Sequence, residues 1–149
     1  MFLVYFLSWT FILYWVHRSA HHIPLIKKIH GQHHHYISTS PPPRWKWNNL
    51  LLFNDNWVST LDWWITEVFP TILFCALTGQ WWIAIFHYIY AVSVQEQTEH
   101  NPNFSCYPWL SAGRWHLVHH LRDSTKNFGP MIIIWDKAFN TASDKNEYL

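Results

Sequence analysis

The chain has 149 residues, half of them apolar, only 13% charged, and a formal net charge of +1. That length suits one domain, and the near-neutral balance carries no signal for a nucleic-acid partner. Two cysteines without a CxxC pairing give no indication of a thiolate zinc site, and Cys75 in an apolar segment and Cys106 in a polar loop do not suggest a disulfide.

Residues 1–16 carry no charge and lead directly into histidines. A secretory signal peptide fits poorly, because there is neither a basic n-region nor a small-x-small cleavage site. The pattern predicts a first helix from about residue 2 to His22, ending before Pro24, which disfavours helical geometry at Ile23. Its apolar part rises about 24 Å. That is short for a membrane span, so this helix crosses with mismatch or begins inside the far leaflet. A second helix, Pro24 to Tyr36, starts with proline in the tolerated first turn. Residues 37–50 hold three consecutive prolines and read as an irregular loop. Residues 57–78 and 81–99 are two further span candidates, joined at Gly79-Gln80 as an antiparallel hairpin, and residues 68–94 carry no charge. After a loop around Asn101-Pro102-Asn103, a helix is expected over Ser111–Leu121. The tail NFGPMIIIWDKAFNT is too short to span and is expected to pack beneath the preceding elements.

The fold class expected is therefore an all-α membrane protein: about three transmembrane helices with a cytosolic helical cap, forming a single domain over residues 1–149. The competing reading, core helices of a soluble bundle, is disfavoured by tryptophans placed where interfaces would fall. These are Trp45, Trp47, Trp57, Trp63 and Trp64 at one side and Trp81 and Trp82 at the hairpin tip. All ten basic residues lie in residues 17–46 or 114–145. The positive-inside rule then faces both ends of the hairpin, and the histidines beside them, toward the cytosol.

Eleven of the twelve histidines fall into two windows, His17 to His35 and His100 to His120. The first holds His17-x3-His21 and His30-x2-His33-His34; the second holds His100 and His116-x2-His119-His120. Positions i, i+3 and i+4 share a helix face, so each box points several imidazoles one way. Neutral imidazole is the commonest metal-ligating side chain. The eight box histidines exceed what one six-coordinate ion uses, and His100 makes nine, which implies two ions. HRSAH carries Arg18 where the general-base glutamate of HExxH would stand, which disfavours a metallohydrolase and favours a redox centre.

The stretches HRSAHHIPLIKKIHGQHH, HLVHHLRDSTKNFG and WDKAFNT resemble the signatures of the fatty acid hydroxylase/sterol desaturase superfamily. This resemblance spans residues 17–142. It implies a centre of two iron ions, which zinc can replace in purified protein, ligated by His17, His21, His30, His33, His34, His100, His116, His119 and His120. It also implies O2 as co-substrate and an electron donor of cytochrome b5 or ferredoxin type. The expected reaction is hydroxylation or desaturation of a membrane lipid: a sterol, sphingoid or fatty acyl chain. The host would be the endoplasmic reticulum in a eukaryote or the cytoplasmic membrane in a bacterium. Relative to many members, the chain lacks an N-terminal membrane hairpin and a fused cytochrome b5 domain, so a minimal or fragmentary version is expected. Of a His-Pro-x-acid element, only Asp62 remains.

Other polar residues stand beside this set. His22 and His35 fall off the shared faces and are expected in a supporting or exposed role. Glu96 precedes His100 by one turn and is a possible carboxylate ligand or supporting group. Asp62 and Glu67 are expected either to orient a histidine or to be solvated at the interface, and the resemblance places Asn127 and Asp136 where they would brace the site. His87, at membrane depth, is expected to be hydrogen-bonded inside the bundle, or else to line a substrate tunnel. The alternatives in other classes are a membrane zinc-binding or metal-transport protein and a catalytically inactive truncated homologue.

Overall fold

The computed structural model describes residues 1–39, 45–54, 56–104 and 109–144, with Glu96 described through its backbone alone. Expectations for prolines 41–43, Arg44, Cys106, Lys145 and the Glu96 side chain lie outside the described residues.

The described chain is all-helical, with only an isolated antiparallel bridge between Leu110 and Ile132 outside helices and turns. Helix α1 runs Phe2–Ala20 and α2 runs Pro24–Thr39. The amides of His22 and Ile23 both fold back onto the Ser19 carbonyl, so α1 ends two residues before the expected His22. The side chains of Ser38 and Thr39 bond the His35 carbonyl and carry α2 past the expected end at Tyr36.

After a 3-10 turn at Trp47–Leu51, Asn56 caps α3 (Trp57–Trp63) by accepting from the Ser59 amide at 2.8 Å. A π-helical turn (Trp64–Val68) joins α3 to α4 (Phe69–Thr78). Pro70 cannot donate to the carbonyl four residues back, and the π turn sits just ahead of it. Gly79 takes the left-handed conformation (φ 71°), which ends the helix and opens the tight joint expected there. Helix α5 (Trp82–Tyr90) continues through a second π turn (Ala91–Gln95) into α6 (Glu96–Thr98). The continuous helix Trp57–Thr78 is long and apolar enough to cross a membrane, at a mean hydropathy of 1.2; Trp82–Gln95 is apolar but shorter.

Helix α7 spans Arg114–Leu121, a turn shorter than the expected Ser111 start. Gly113 at φ 56° turns the chain into it, and a Cβ there would collide with the Phe104 carbonyl. Helix α8 covers Ile134–Ala138.

One core cluster joins Trp9 and Leu13 of α1 to Phe74, Cys75, Ile83 and Met131. Trp9 donates its indole N–H to Thr71, and Trp135 donates to Thr10, so the hairpin and the tail are both tied to α1. Tyr14 stacks on Phe139 and shares a hydrogen bond with Thr141. Exposed apolar side chains gather on the hairpin and the start of α1, among them Leu73 (60%), Leu77 (77%), Ile85 (62%) and Phe2 (73%). Of the tryptophans expected at an interface, Trp47, Trp57 and Trp81 are exposed, whereas Trp63 is buried against Val68 and Ala91.

Candidate metal centre

Helices α1, α2 and α7 meet with their histidines inward. Ligand atoms of His17, His21, His30, His34 and His119 all lie within 4.8 Å of one another. Two further groups meet the same criterion, His33 with His100 and His120, and Glu99 with His100 and His116. Each H-x2-HH box is therefore divided. His30 and His34 join the first set while His33 joins the second, and His119 goes one way while His116 and His120 go the other. The sets share a wall, with the His34 and His120 rings 4.2 Å apart.

In the first set the Nε2 atoms converge. His30 Nε2 stands 3.1 Å from that of His17, 3.0 Å from His21 and 3.0 Å from His34, while His21 and His119 are 3.1 Å apart. The distal nitrogens set the tautomers. His17 Nδ1 donates to the Phe128 carbonyl at 2.7 Å and His119 Nδ1 to the Lys126 carbonyl at 2.6 Å. His30 Nδ1 lies 2.9 Å from the Asp62 carboxylate. A neutral imidazole carries one N–H, so with Nδ1 donating, the Nε2 atoms of His17, His30 and His119 are bare lone pairs pointed at a common centre. Lone pairs so placed repel unless a cation lies between them. Ligand atoms about 2.1 Å from one ion stand about 3.0 Å apart at right angles. The donor set fits a divalent transition metal.

The second set is built on the same pattern with looser bracing. His120 Nε2 is 2.9 Å from that of His116 and 3.1 Å from that of His100. His33 Nδ1 bonds the Ser59 hydroxyl at 3.2 Å, but the Nδ1 atoms of His116 and His120 are buried without a partner among the described residues.

Burial, reinforced by neighbouring imidazoles, favours the neutral form of His21, His34, His100, His33, His116, His119 and His120. His21 is held down at about 3, His34 at about 2 and His100 at about 3. His33, His116, His119 and His120 fall well below the ordinary histidine value, again chiefly through burial. Neutral imidazole is the ligating form.

Around the histidines, Asp136 accepts from the amides of Phe128 and Gly129 at 2.8 and 2.9 Å and from the Thr141 hydroxyl at 2.8 Å. It thereby holds the loop whose carbonyl receives His17. Burial still pushes the Asp136 carboxyl up to about 6. Asn127, at φ 55°, donates to the Trp115 carbonyl and to Ser143, tying the same loop to α7. His22 and His35 are exposed and belong to neither set. His87 is buried, lies 3.1 Å from Glu67 inside the hairpin, and belongs to neither set. A cavity of about 60 Å³ lies against His30, His33 and His100 on one side and Trp63, Glu67 and Gln95 on the other.

Glu99 is the site residue that the helical spacing did not single out. Attention to the i−4 partner of His100 favoured Glu96, whereas the Glu99 carboxylate reaches to 3.8 Å from His116 Nε2. Its place directly before His100 was the available signal.

The sequence pattern of the family described as Fatty acid hydroxylase matches residues 2–141. The chain belongs to this family. Its curated relatives include the Delta(7)-sterol 5(6)-desaturases erg3B and erg3A of Aspergillus fumigatus. They are 25% identical over 89% of this chain and 28% identical over 97% of it, covering 36% and 38% of those proteins. A Delta(7)-sterol 5(6)-desaturase of Leptosphaeria maculans is 24% identical over 97% of the chain and 38% of its own length. The chain thus spans well under half the length of the curated relatives it matches. No solved structure matches it significantly.

Proposed function

We propose that this member of the family is an O2-dependent lipid hydroxylase or desaturase whose centre holds two iron ions on nine histidines: His17, His21, His30, His33, His34, His100, His116, His119 and His120. The observation that carries the proposal is the convergence of the bare Nε2 atoms of His17, His30 and His119, with Nδ1 donating in each. Iron, when bound, supplies the O2 activation that an unactivated lipid C–H bond requires. The chain's own part is to hold each ligand in one tautomer through Asp62 and the Phe128 and Lys126 carbonyls, and to keep bulk water away by burial. Such outer partners commonly govern metal affinity tenfold to a hundredfold.

The relatives' names bring a sterol or related membrane lipid into the proposal as substrate. The hairpin and α1 are read as membrane-inserted, because their exposed apolar side chains form a surface that water does not favour. In this reading three helices enter the bilayer and the histidines cap its cytosolic face, with an external donor of cytochrome b5 or ferredoxin type delivering electrons. A metal transporter would want its ligands near the bilayer midplane. There the available histidine, His87, is engaged with Glu67 instead.

The test is lipid profiling of cells expressing the wild type and His119→Ala, with metal analysis of the purified chains. An oxidised lipid present with the wild type and absent with His119→Ala, alongside iron in the former, is the expected result. Identical lipid profiles from a wild type carrying two ions would reject the oxygenase reading.

A further inference from the structure

We propose that Glu99 is a ligand of the second ion, making that position a mixed carboxylate–imidazole site beside an all-imidazole first one. The inference rests on the two-ion reading above and adds a residue to it. The nine histidines divide unequally: five converge in the first set, leaving His33, His100, His116 and His120 for the second. The Glu99 carboxylate joins His100 and His116 with ligand atoms within 4.8 Å of one another, a group that shares His100 with that of His33, His100 and His120.

The distance from Glu99 Oε1 to His116 Nε2 is 3.8 Å. That is long for a hydrogen bond. Two atoms each about 2.1 Å from one ion stand between about 3.0 Å apart at right angles and about 4.2 Å when opposed, so the observed spacing is that of two ligands at a wide angle.

The other carboxylate oxygen is already committed. Gln95 Nε2 donates to Glu99 Oε2 at 3.0 Å and to Glu67 Oε1 at 2.7 Å, and Glu67 Oε2 lies 3.1 Å from His87 Nε2. An amide nitrogen only donates, so Oε2 is held as an acceptor, while Oε1 is the oxygen that faces His116. The Gln95 clamp depends on the two π turns, which carry Glu67 and Gln95 respectively. Glu99 is only 8% exposed. A buried carboxylate is stabilised by a neighbouring cation. The chain of bonds from His87 to Glu99 thus acts as a bracket that aims one carboxylate oxygen, as outer partners commonly do for ligating groups.

The test is equilibrium dialysis of the detergent-purified chain against cobalt(II), with elemental analysis of bound metal and the visible cobalt spectrum. Wild type is expected to bind two ions. Glu99→Gln is expected to keep the first and to bind the second at least tenfold more weakly, with a changed spectrum. Glu99→His, which offers an imidazole at the same place, is expected to restore two-ion binding, and it decides alone should the glutamine variant not fold. Two ions at unchanged affinity and spectrum in Glu99→Gln would overturn the assignment while leaving the two-ion reading intact. So would one ion in Glu99→His, or loss of the second ion from Glu96→Gln but not from Glu99→Gln. A wild type that binds a single ion would overturn both.

Discussion

The two histidine sets differ less in their ligands than in what stands behind them. In the first, three Nδ1 atoms are fixed by a carboxylate and two backbone carbonyls, so the lone pairs face inward before any ion arrives. In the second, His33 leans on a hydroxyl, and the Nδ1 atoms of His116 and His120 have no partner among the described residues. A preorganised set binds without first reorienting its rings, whereas the second must select its tautomers on binding. On the two-ion proposal, the first position is expected to be the tighter one, and the second the one where exchange and ligand substitution are felt.

The largest effect that would break this comparison is His30→Ala. His30 contributes the Nε2 that faces three others and hydrogen-bonds the buried Asp62 carboxylate. Removing it deletes a ligand and leaves Asp62 short of a partner, at a cost on the order of 3 kcal/mol. The expected outcome is loss of the first ion, a fall in lipid oxidation of at least about a hundredfold, and a lower melting temperature. Metal analysis and a thermal melt check it. Retention of both ions with an unchanged melt would show that the first set is not organised around His30.

An acid titration sharpens the comparison further. His21, His34 and His100 are held at about 3, 2 and 3 in the folded chain, and the other shifted box histidines also lie well below the ordinary value. The unfolded chain takes up these protons near its ordinary value of about 6.5. Between roughly 6.5 and 3 the unfolded state binds more protons, so the histidines' contribution to stability is complete above that window and is lost as pH falls through it. Bound metal competes with the same protons. Melting temperature and metal content are expected to hold from pH 8 to 7 and to decline together as the pH falls below about 6.5, the second ion leaving before the first. Release of the first ion ahead of the second would reverse the ranking of the two positions.

Much of this was legible in the sequence because helical spacing is a strong constraint. His17 and His21, or His116 and His120, are one turn apart on any α-helix, and the turn at Gly79 and the break before Pro24 follow from backbone sterics. The division of each box was not legible. His33 and His34 are neighbours in sequence, and a helix turns about 100° between them, so their assignment to different sets depends on where α7 lies. Nor could spacing reveal the partners of His17 and His119, which are backbone carbonyls that leave no mark in side-chain patterns. The π turns were a further feature that spacing did not announce. Reading with a period of 3.6 places Asp62 and Glu67 on different faces, whereas a π turn brings residues five apart closer together. Asp62 reaches His30 and Glu67 reaches His87, so each meets a histidine as expected, and Glu67 also meets Gln95. Glu99 was passed over for Glu96 by the same reliance on α-helical spacing.

The smallest expected effect is also the sharpest check on the boundary of the site. His22 and His35 extend the boxes in sequence, and a reading by composition alone would count them with their neighbours. Both side chains are exposed and belong to neither set. His22 sits in the turn after α1, and His35 falls beyond the face of α2 that carries His30, His33 and His34. With no buried contact to lose, His22→Ala and His35→Ala are expected to shift stability by less than about 0.5 kcal/mol and to leave metal content and lipid oxidation at the wild-type level. The double variant separates a metal centre from a histidine-rich surface. If the boxes merely gathered metal by number, removing two of twelve imidazoles would reduce the bound metal in proportion. If the ligands are those that converge, the stoichiometry stays at two ions while His30→Ala, a single substitution, removes one.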